Sequence, residues 1–136
     1  AAYIVTPGFS AKVVRRCREI GVPVFPGVAT PTEIQMALDE GVDVVKFFPA
    51  ESVGGISALK AMSAPYSMVR FIPTGSIDLE KLPAYLAFKP VVAVGGSWMV
   101  ARDLLKAGDF AAVTRLAAGA MAAVAGAGGA AAGAGK

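Results

Sequence analysis

The sequence predicts an α/β protein built on parallel strands, and three observations carry that prediction. Short runs rich in β-branched and aromatic residues recur at 2–6, 22–25, 42–48, 68–72 and 91–94, with starts 20 to 26 residues apart. That is about the length of a compact strand–helix unit. The runs are apolar almost throughout, which is how parallel strands read when both sheet faces are covered. Between them lie segments with helical spacing and recognisable start and stop residues.

The elements follow in order. The run at 2–6 leads to a helix predicted over 11–20, with Val13, Val14 and Cys17 inward, Arg15 and Arg18 outward and Gly21 as a left-handed stop. After the run at 22–25, Thr30-Pro31-Thr32-Glu33 reads as an N-cap, a proline at the first helical position and a capping-box glutamate. Ile34, Ala37 and Leu38 then recur at helical spacing, and Gly41 ends the helix. Later helices are predicted over 55–62, over 79–88 with Asp78 as N-cap, and over 110–124. Residues 116–135 carry no charge but are nearly all Ala and Gly. They read as a helix fading into a flexible tail over 118–136, beyond a domain at 1–117, and not as a membrane span.

Five such units fit two architectures. One is an open doubly wound sheet. The other is the last five-eighths of an eight-unit barrel, which normally needs about 200 residues or more, against 136 here. The chain starts at Ala1 and runs straight into an apolar strand with no secretory signal, so it is expected to be a piece of something longer.

Composition narrows the chemistry. With 55% hydrophobic and 17% charged residues the chain is globular. A net charge of +3 is mild, and the one basic cluster, Lys12, Arg15, Arg16 and Arg18, lies on the outer face of a predicted helix. It reads as a solvated face, so no nucleic-acid partner is expected. A single cysteine forbids an intrachain disulfide and suits a cytoplasmic setting. There is no histidine, which excludes Ser-His-Asp and Cys-His catalysis and most catalytic zinc sites. No metal or cofactor is expected.

One residue stands out against that background. In Val44-Val45-Lys46-Phe47-Phe48-Pro49-Ala50-Glu51 a lysine occupies an apolar strand near its C-terminal end. Alternation puts Val44, Lys46 and Phe48 on one face and Asp43, Val45 and Phe47 on the other. The plain reading is an edge-strand lysine whose head snorkels to water. The chemical reading is an ammonium neutralised by desolvation, able to attack a ketone and form a Schiff base. The other strand ends favour the second. They read Thr6-Pro7-Gly8, Phe25-Pro26-Gly27, Pro73-Thr74-Gly75-Ser76 and Val94-Gly95-Gly96-Ser97-Trp98. In either architecture active sites lie at these ends. Glycine loops on the last two strands suit a phosphate, although each taken singly reads equally as an ordinary turn. By parity Thr74 shares a face with Ile72 and Arg70, and its hydroxyl either points into the pocket near Lys46 or caps a helix.

Taken together, Lys46-Phe47-Phe48-Pro49-Ala50-Glu51, Pro73-Thr74-Gly75, Gly95-Gly96-Ser97-Trp98 and the upstream Thr6-Pro7-Gly8 resemble the 2-keto-3-deoxy-6-phosphogluconate (KDPG) and 4-hydroxy-2-oxoglutarate (KHG) aldolase family, from Ala1 to about Ala117. The resemblance implies a (β/α)8 TIM barrel, usually trimeric, of which this chain would be the last five units. It implies class I cleavage of a 2-keto-3-deoxy-6-phospho sugar acid to pyruvate and glyceraldehyde 3-phosphate without a metal. Lys46 matches the Schiff-base lysine, and Pro7, Phe48 and Thr74 match residues lining the pyruvyl pocket. Gly75, Gly96 and Ser97 match the phosphate loops. Ser76 matches a position where the family usually has a second glycine, so its Cβ is expected to crowd a phosphate or change the backbone.

In the family the general-base glutamate, a carboxylate-binding arginine and a pyruvate-site threonine come from the first three strands, ahead of the run at 2–6. Glu51 and Asp78 are the nearest carboxylates in this sequence. Asp78 reads as a helix cap and Glu51 lies off the parity of Lys46, so neither is assigned that role. The chain alone is expected to be at best weakly active, its interior opened to water. A 4-hydroxy-2-oxoglutarate aldolase and a non-catalytic phosphate- or keto-acid-binding remnant are the rival expectations.

Overall fold

A computed structural model describes the backbone of residues 1–133 and the side chains of residues 1–126. The elements follow in the order β1 (Ile4–Val5), α1 (Ala11–Glu19), β2 (Val24–Phe25), β3 (Gly27–Val28), α2 (Pro31–Asp39), β4 (Val44–Phe47), α3 (Gly55–Ser63), β5 (Arg70–Pro73), α4 (Leu82–Leu86), α5 (Arg102–Ala107) and α6 (Phe110–Gly133). Every strand pair is parallel, so the α/β class read from the sequence holds.

β1 pairs with β2, and β3, β4 and β5 form a second ladder in chain order. Its register aligns Gly27 with Lys46 and Lys46 with Ile72. The strand expected at 22–25 starts only at Val24, because the Val22 N–H donates back to Cys17 O at 2.9 Å, and it ends at Phe25, ahead of Pro26. Proline has no N–H to donate, but the Pro26 carbonyl accepts the Lys46 N–H at 2.9 Å. The chain therefore stops pairing with β1 and starts pairing with β4 at that residue.

The strand expected at 91–94 does not form a ladder. Only isolated bridges join Phe71 to Val91 and Thr74 to Gly95. Four steps from Val91 to Gly95 face three from Phe71 to Thr74, and an extra residue of that kind breaks a ladder as a bulge does. The other strands are shorter than their apolar runs, and β5 starts two residues later than expected, since the Val69 N–H still donates into the turn at Tyr66 O (2.9 Å).

The helix signals are borne out more closely. Thr30 Oγ1 accepts the Glu33 N–H at 3.3 Å and Glu33 Oε2 accepts the Ala29 N–H at 2.7 Å, a reciprocal closure of the start of α2. Gly21 and Gly41 follow α1 and α2 at φ +67° and +73°. Ser10, unread in the sequence, caps α1 by accepting the Val13 N–H. Asp78 caps as expected, its Oδ1 accepting the Lys81 N–H at 3.0 Å, although the helix proper is only Leu82–Leu86. α5 was not expected; it is a six-residue helix closed by Gly108 at φ +68°. α6 runs further than predicted, and the last part of the expected Ala/Gly tail, residues 134–136, lies outside the described residues.

The strands are covered unequally. Val28, Val45, Phe47 and Phe71 are buried in one cluster with Ile34 and Ala37 of α2, Leu59 of α3 and Tyr85 of α4. On the opposite face Val44, Lys46, Ile72 and Thr74 are only half-buried. Coverage of both faces, expected from the apolar runs, is therefore incomplete among the described residues. The alternation expected for β4 is observed.

Candidate active site

Lys46 stands on the half-buried face near the end of β4. Its Nζ lies 4.2 Å from the centroid of the Phe48 ring. Among the described residues no carboxylate pairs with it and no side-chain hydrogen bond ties it down. Burial pushes its pKa below the ordinary lysine value. The Phe48 ring excludes water from one side of the amine, while its face also attracts the charged form.

Pro7 is brought to the same face by a glycine. A Cβ on Gly27 would lie 2.1 Å from the Pro7 carbonyl oxygen and 2.7 Å from the Gly8 nitrogen. Gly27 is the register partner of Lys46, so the Pro7–Gly8 backbone occupies the space beside Lys46 where a side chain would stand. Only glycine permits that approach. On the other flank Ile72 is the register partner of Lys46. Thr74, two residues on, keeps the same face and donates from Oγ1 to Ile72 O at 3.4 Å. Its side chain fills the space that a Cβ on Gly95 would take, 2.7 Å from Oγ1. Pro7, Lys46, Phe48 and Thr74 thus share one rim, at the C-terminal ends of neighbouring strands.

The glycine loops lie just beyond. Gly75 has φ +116° and packs on the Pro49–Ala50 backbone and the edge of the Phe48 ring, where an added Cβ would come within 3.2 Å of Ala50 N. Ser76 has φ +56°, a left-handed conformation that costs an ordinary residue roughly 1–2 kcal/mol. The serine therefore keeps a glycine-like backbone, and its side chain is exposed. The Thr74–Gly95 bridge sets this loop beside Gly96-Ser97. Gly96 lies under the Trp98 ring, and Ser97 is exposed ahead of a 3-10 turn at Trp98–Val100. Trp98 Nε1 is buried without a hydrogen-bond partner among the described residues.

Sequence reasoning missed a polar cluster behind the Gly75-Ser76 loop. Glu51, in a 3-10 turn at Glu51–Val53, accepts the Tyr85 hydroxyl on Oε1 at 2.6 Å. Its Oε2 lies 3.6 Å from Lys81 Nζ, which also reaches Asp78 Oδ2 at 3.1 Å and Ser76 O at 3.3 Å. Burial, reinforced by Glu51, holds the Tyr85 hydroxyl well above the usual phenol range. The Lys81 backbone N–H, with its ammonium, holds the Asp78 carboxyl below the usual carboxylate range. A cleft of 440 Å³ opens against Glu51, Lys81 and Tyr85, and Lys46 does not line it. The spacing Asp78-x-x-Lys81 was the only sequence signal for the cluster, and a surface ion pair explains that spacing equally well.

The sequence pattern of the aldolases described as KDPG and KHG aldolase matches residues 1–116. The chain belongs to the KDPG and KHG aldolase family. Among relatives, it is 51% identical over 116 residues to the 2-dehydro-3-deoxy-phosphogluconate aldolase of Treponema pallidum, covering 85% of this chain and 55% of that protein. It is 42% identical over 117 residues to the KHG/KDPG aldolase of Escherichia coli K12, covering 86% and 55%. The chain therefore spans about half the length of the curated relatives it matches. In structure it resembles the KDPG aldolase of Legionella pneumophila, solved with pyruvate captured as a covalent carbinolamine, with a TM-score of 0.82 at 34% identity over 92% of this chain and 58% of that one. Among the described residues no helix is long and apolar enough to cross a membrane.

Proposed function

We propose that this family member supplies the Schiff-base half of a class I aldolase, with Lys46 as nucleophile. The observation that carries the reading is a half-buried lysine with no counter-charge among the described residues, facing Phe48 on a rim shared with Pro7 and Thr74. A structural lysine in that position would be expected to have a carboxylate partner.

The chemistry follows from the amine. Neutral Lys46 attacks the keto carbon of a 2-keto-3-deoxy-6-phospho sugar acid, giving a carbinolamine that loses water to an iminium. The C3–C4 bond then breaks. Its electron pair passes into the iminium to form an enamine, while the C4 hydroxyl loses its proton and becomes the aldehyde of glyceraldehyde 3-phosphate. Protonation at C3 and hydrolysis release pyruvate and the free lysine. Phe48, Pro7 and Thr74 line the pyruvyl end in this reading. The N–H groups of Gly75, Ser76, Gly96 and Ser97, none of which donates to a protein acceptor among the described residues, face the phosphate. The proton carrier is assigned to no residue here, because Glu51 is taken by Tyr85 and Lys81 and Asp78 by Lys81.

The architecture we propose is a segment of a (β/α)8 barrel, residues 1–117, the half-buried sheet face being the barrel interior. Strands in chain order with helices packed on one face support a barrel over a doubly wound sheet, whose order reverses at a switch point. A homotrimer and a cytoplasmic setting go with the family reading. The test is borohydride trapping with pyruvate: one pyruvate reduced onto Lys46 per chain is expected, and mass spectrometry showing no adduct, or an adduct on other lysines alone, would overturn the assignment.

A further inference from the structure

We propose that Lys81, held by Glu51 and Asp78, is a positioning residue that sets the Gly75-Ser76 loop for binding a phosphate dianion. The proposal rests on reading that loop as a phosphate cradle.

Three successive carbonyls of the loop are held from one side. Thr74 O accepts the Ala50 N–H at 2.9 Å, Gly75 O accepts the Glu51 N–H at 3.3 Å, and Ser76 O accepts Lys81 Nζ at 3.3 Å. The N–H groups of Gly75, Ser76 and Ile77 donate to nothing among the described residues. Fixing the carbonyls fixes the peptide planes, and with them the direction of the free N–H groups.

The third contact is the one that needs a side chain. Ser76 is the only non-glycine described at positive φ, in a conformation a serine leaves readily unless something holds it. Lys81 is in turn fixed: Asp78 Oδ2 lies 3.1 Å and Glu51 Oε2 3.6 Å from its Nζ, and Tyr85 steadies the Glu51 carboxylate from Oε1 at 2.6 Å. Glu51 also follows the strand end that carries Lys46, five residues on. Through its backbone and its carboxylate it joins the nucleophile's strand to the loop. Lys81 therefore acts on phosphate through the backbone of Ser76, and its charge adds a weaker long-range attraction.

Amide chemical shifts of the isotopically labelled chain, with inorganic phosphate as probe, test this. Without phosphate, Lys81→Met should move the amides of Ser76 and Ile77, Lys81→Arg should largely restore them, and Lys60→Met on the neighbouring helix should leave them in place. Unmoved amides in Lys81→Met would overturn the brace whatever phosphate does. With phosphate, Lys81→Met and Glu51→Gln should weaken binding at 75–77 by about tenfold, the scale of one charge-assisted hydrogen bond. The amides of Val45 and Leu59, buried in the core, should keep their positions in Lys81→Met, which checks that the variant is folded. Equal phosphate affinity in wild type and variants would sink the brace and leave the cradle standing. No phosphate-dependent shift at 75–77 or 96–98 in the wild type would instead remove the cradle, and the proposal with it.

Discussion

An ammonium kept half-buried without a carboxylate works against the fold that holds it. Burial lowers the Lys46 pKa below the 10.5 of an ordinary lysine. Between the folded and unfolded values the unfolded chain binds more protons, so stability rises as pH climbs through that window. Below the window the penalty is fully present; above 10.5 it has gone. Lys46→Met keeps most of the stem and removes the charge. The urea midpoint of the variant should exceed that of the wild type at pH 7, and the gain should shrink toward pH 10.5. Pyruvate trapping should be lost at every pH. A gain that does not vary with pH would mean that the methionine acts through packing and that Lys46 is not desolvated. Lys46 was legible in the sequence because a charge inside an apolar strand is improbable without a use. Lys81 was not, because a lysine three residues from an aspartate on a helix start is ordinary, and only the fold reveals that it reaches Ser76 O.

Among elements, the strand ends position the site more than the strands do. Gly27 lets the Pro7–Gly8 backbone lie against β3 beside Lys46, as Gly95 gives room to Thr74. Gly27→Ala would drive a methyl carbon to 2.1 Å from Pro7 O, and backbone cannot yield as a flexible side chain does. We expect a loss of about 1–3 kcal/mol in urea unfolding, the usual scale of overpacking. Pyruvate trapping should also slow as Pro7 leaves the rim. Gly8→Ala, with nothing within 4 Å of the added carbon, should stay within about 0.5 kcal/mol of wild type. Equal behaviour of the two variants would show that the contact between the loop and β3 does not form. The helix starts were readable because capping is local chemistry: Thr30 with Glu33, and Asp78, act within three residues. The strand limits were not, because pairing is set by partners far along the chain. Nothing near Val91 in sequence announces the mismatch with Phe71 and Thr74 that breaks its ladder.

At the scale of the molecule the core is split unequally, and the site straddles the division. The larger cluster joins β3, β4 and β5 to α2, α3 and α4 through Val45, Phe47, Leu59, Phe71 and Tyr85. The smaller one holds only Val14, Cys17 and Val24, fringed by Ile4, Phe9 and Val42. Phe9 and Val42 pack on both clusters, and α1 is further tied to the rest by its bonds to Glu40: Arg15 to the carboxylate at 2.6 Å and Arg18 to the carbonyl at 2.6 Å. Arg15 is well exposed, and exposed pairs contribute little to stability. The segment from β1 to β2 should therefore open on its own at a lower free energy than the β4–β5 ladder. Cys17, 5% exposed, reports that opening through its thiol. Thiol labelling under native conditions should give an opening free energy at least about 1 kcal/mol below that from amide exchange at Arg70 and Thr74, whose N–H groups donate to Asp43 O and Phe47 O, and it should be insensitive to low urea. Equal free energies would mean one cooperative unit. Pro7 belongs to the segment that opens, whereas Lys46, Phe48 and Thr74 belong to the stable part. If pyruvate on Lys46 touches Pro7, borohydride-fixed pyruvate should slow Cys17 labelling, since a ligand bound only to the closed form stabilises it. Unchanged labelling after stoichiometric reduction would remove Pro7 from the pyruvyl pocket while leaving Lys46 in it.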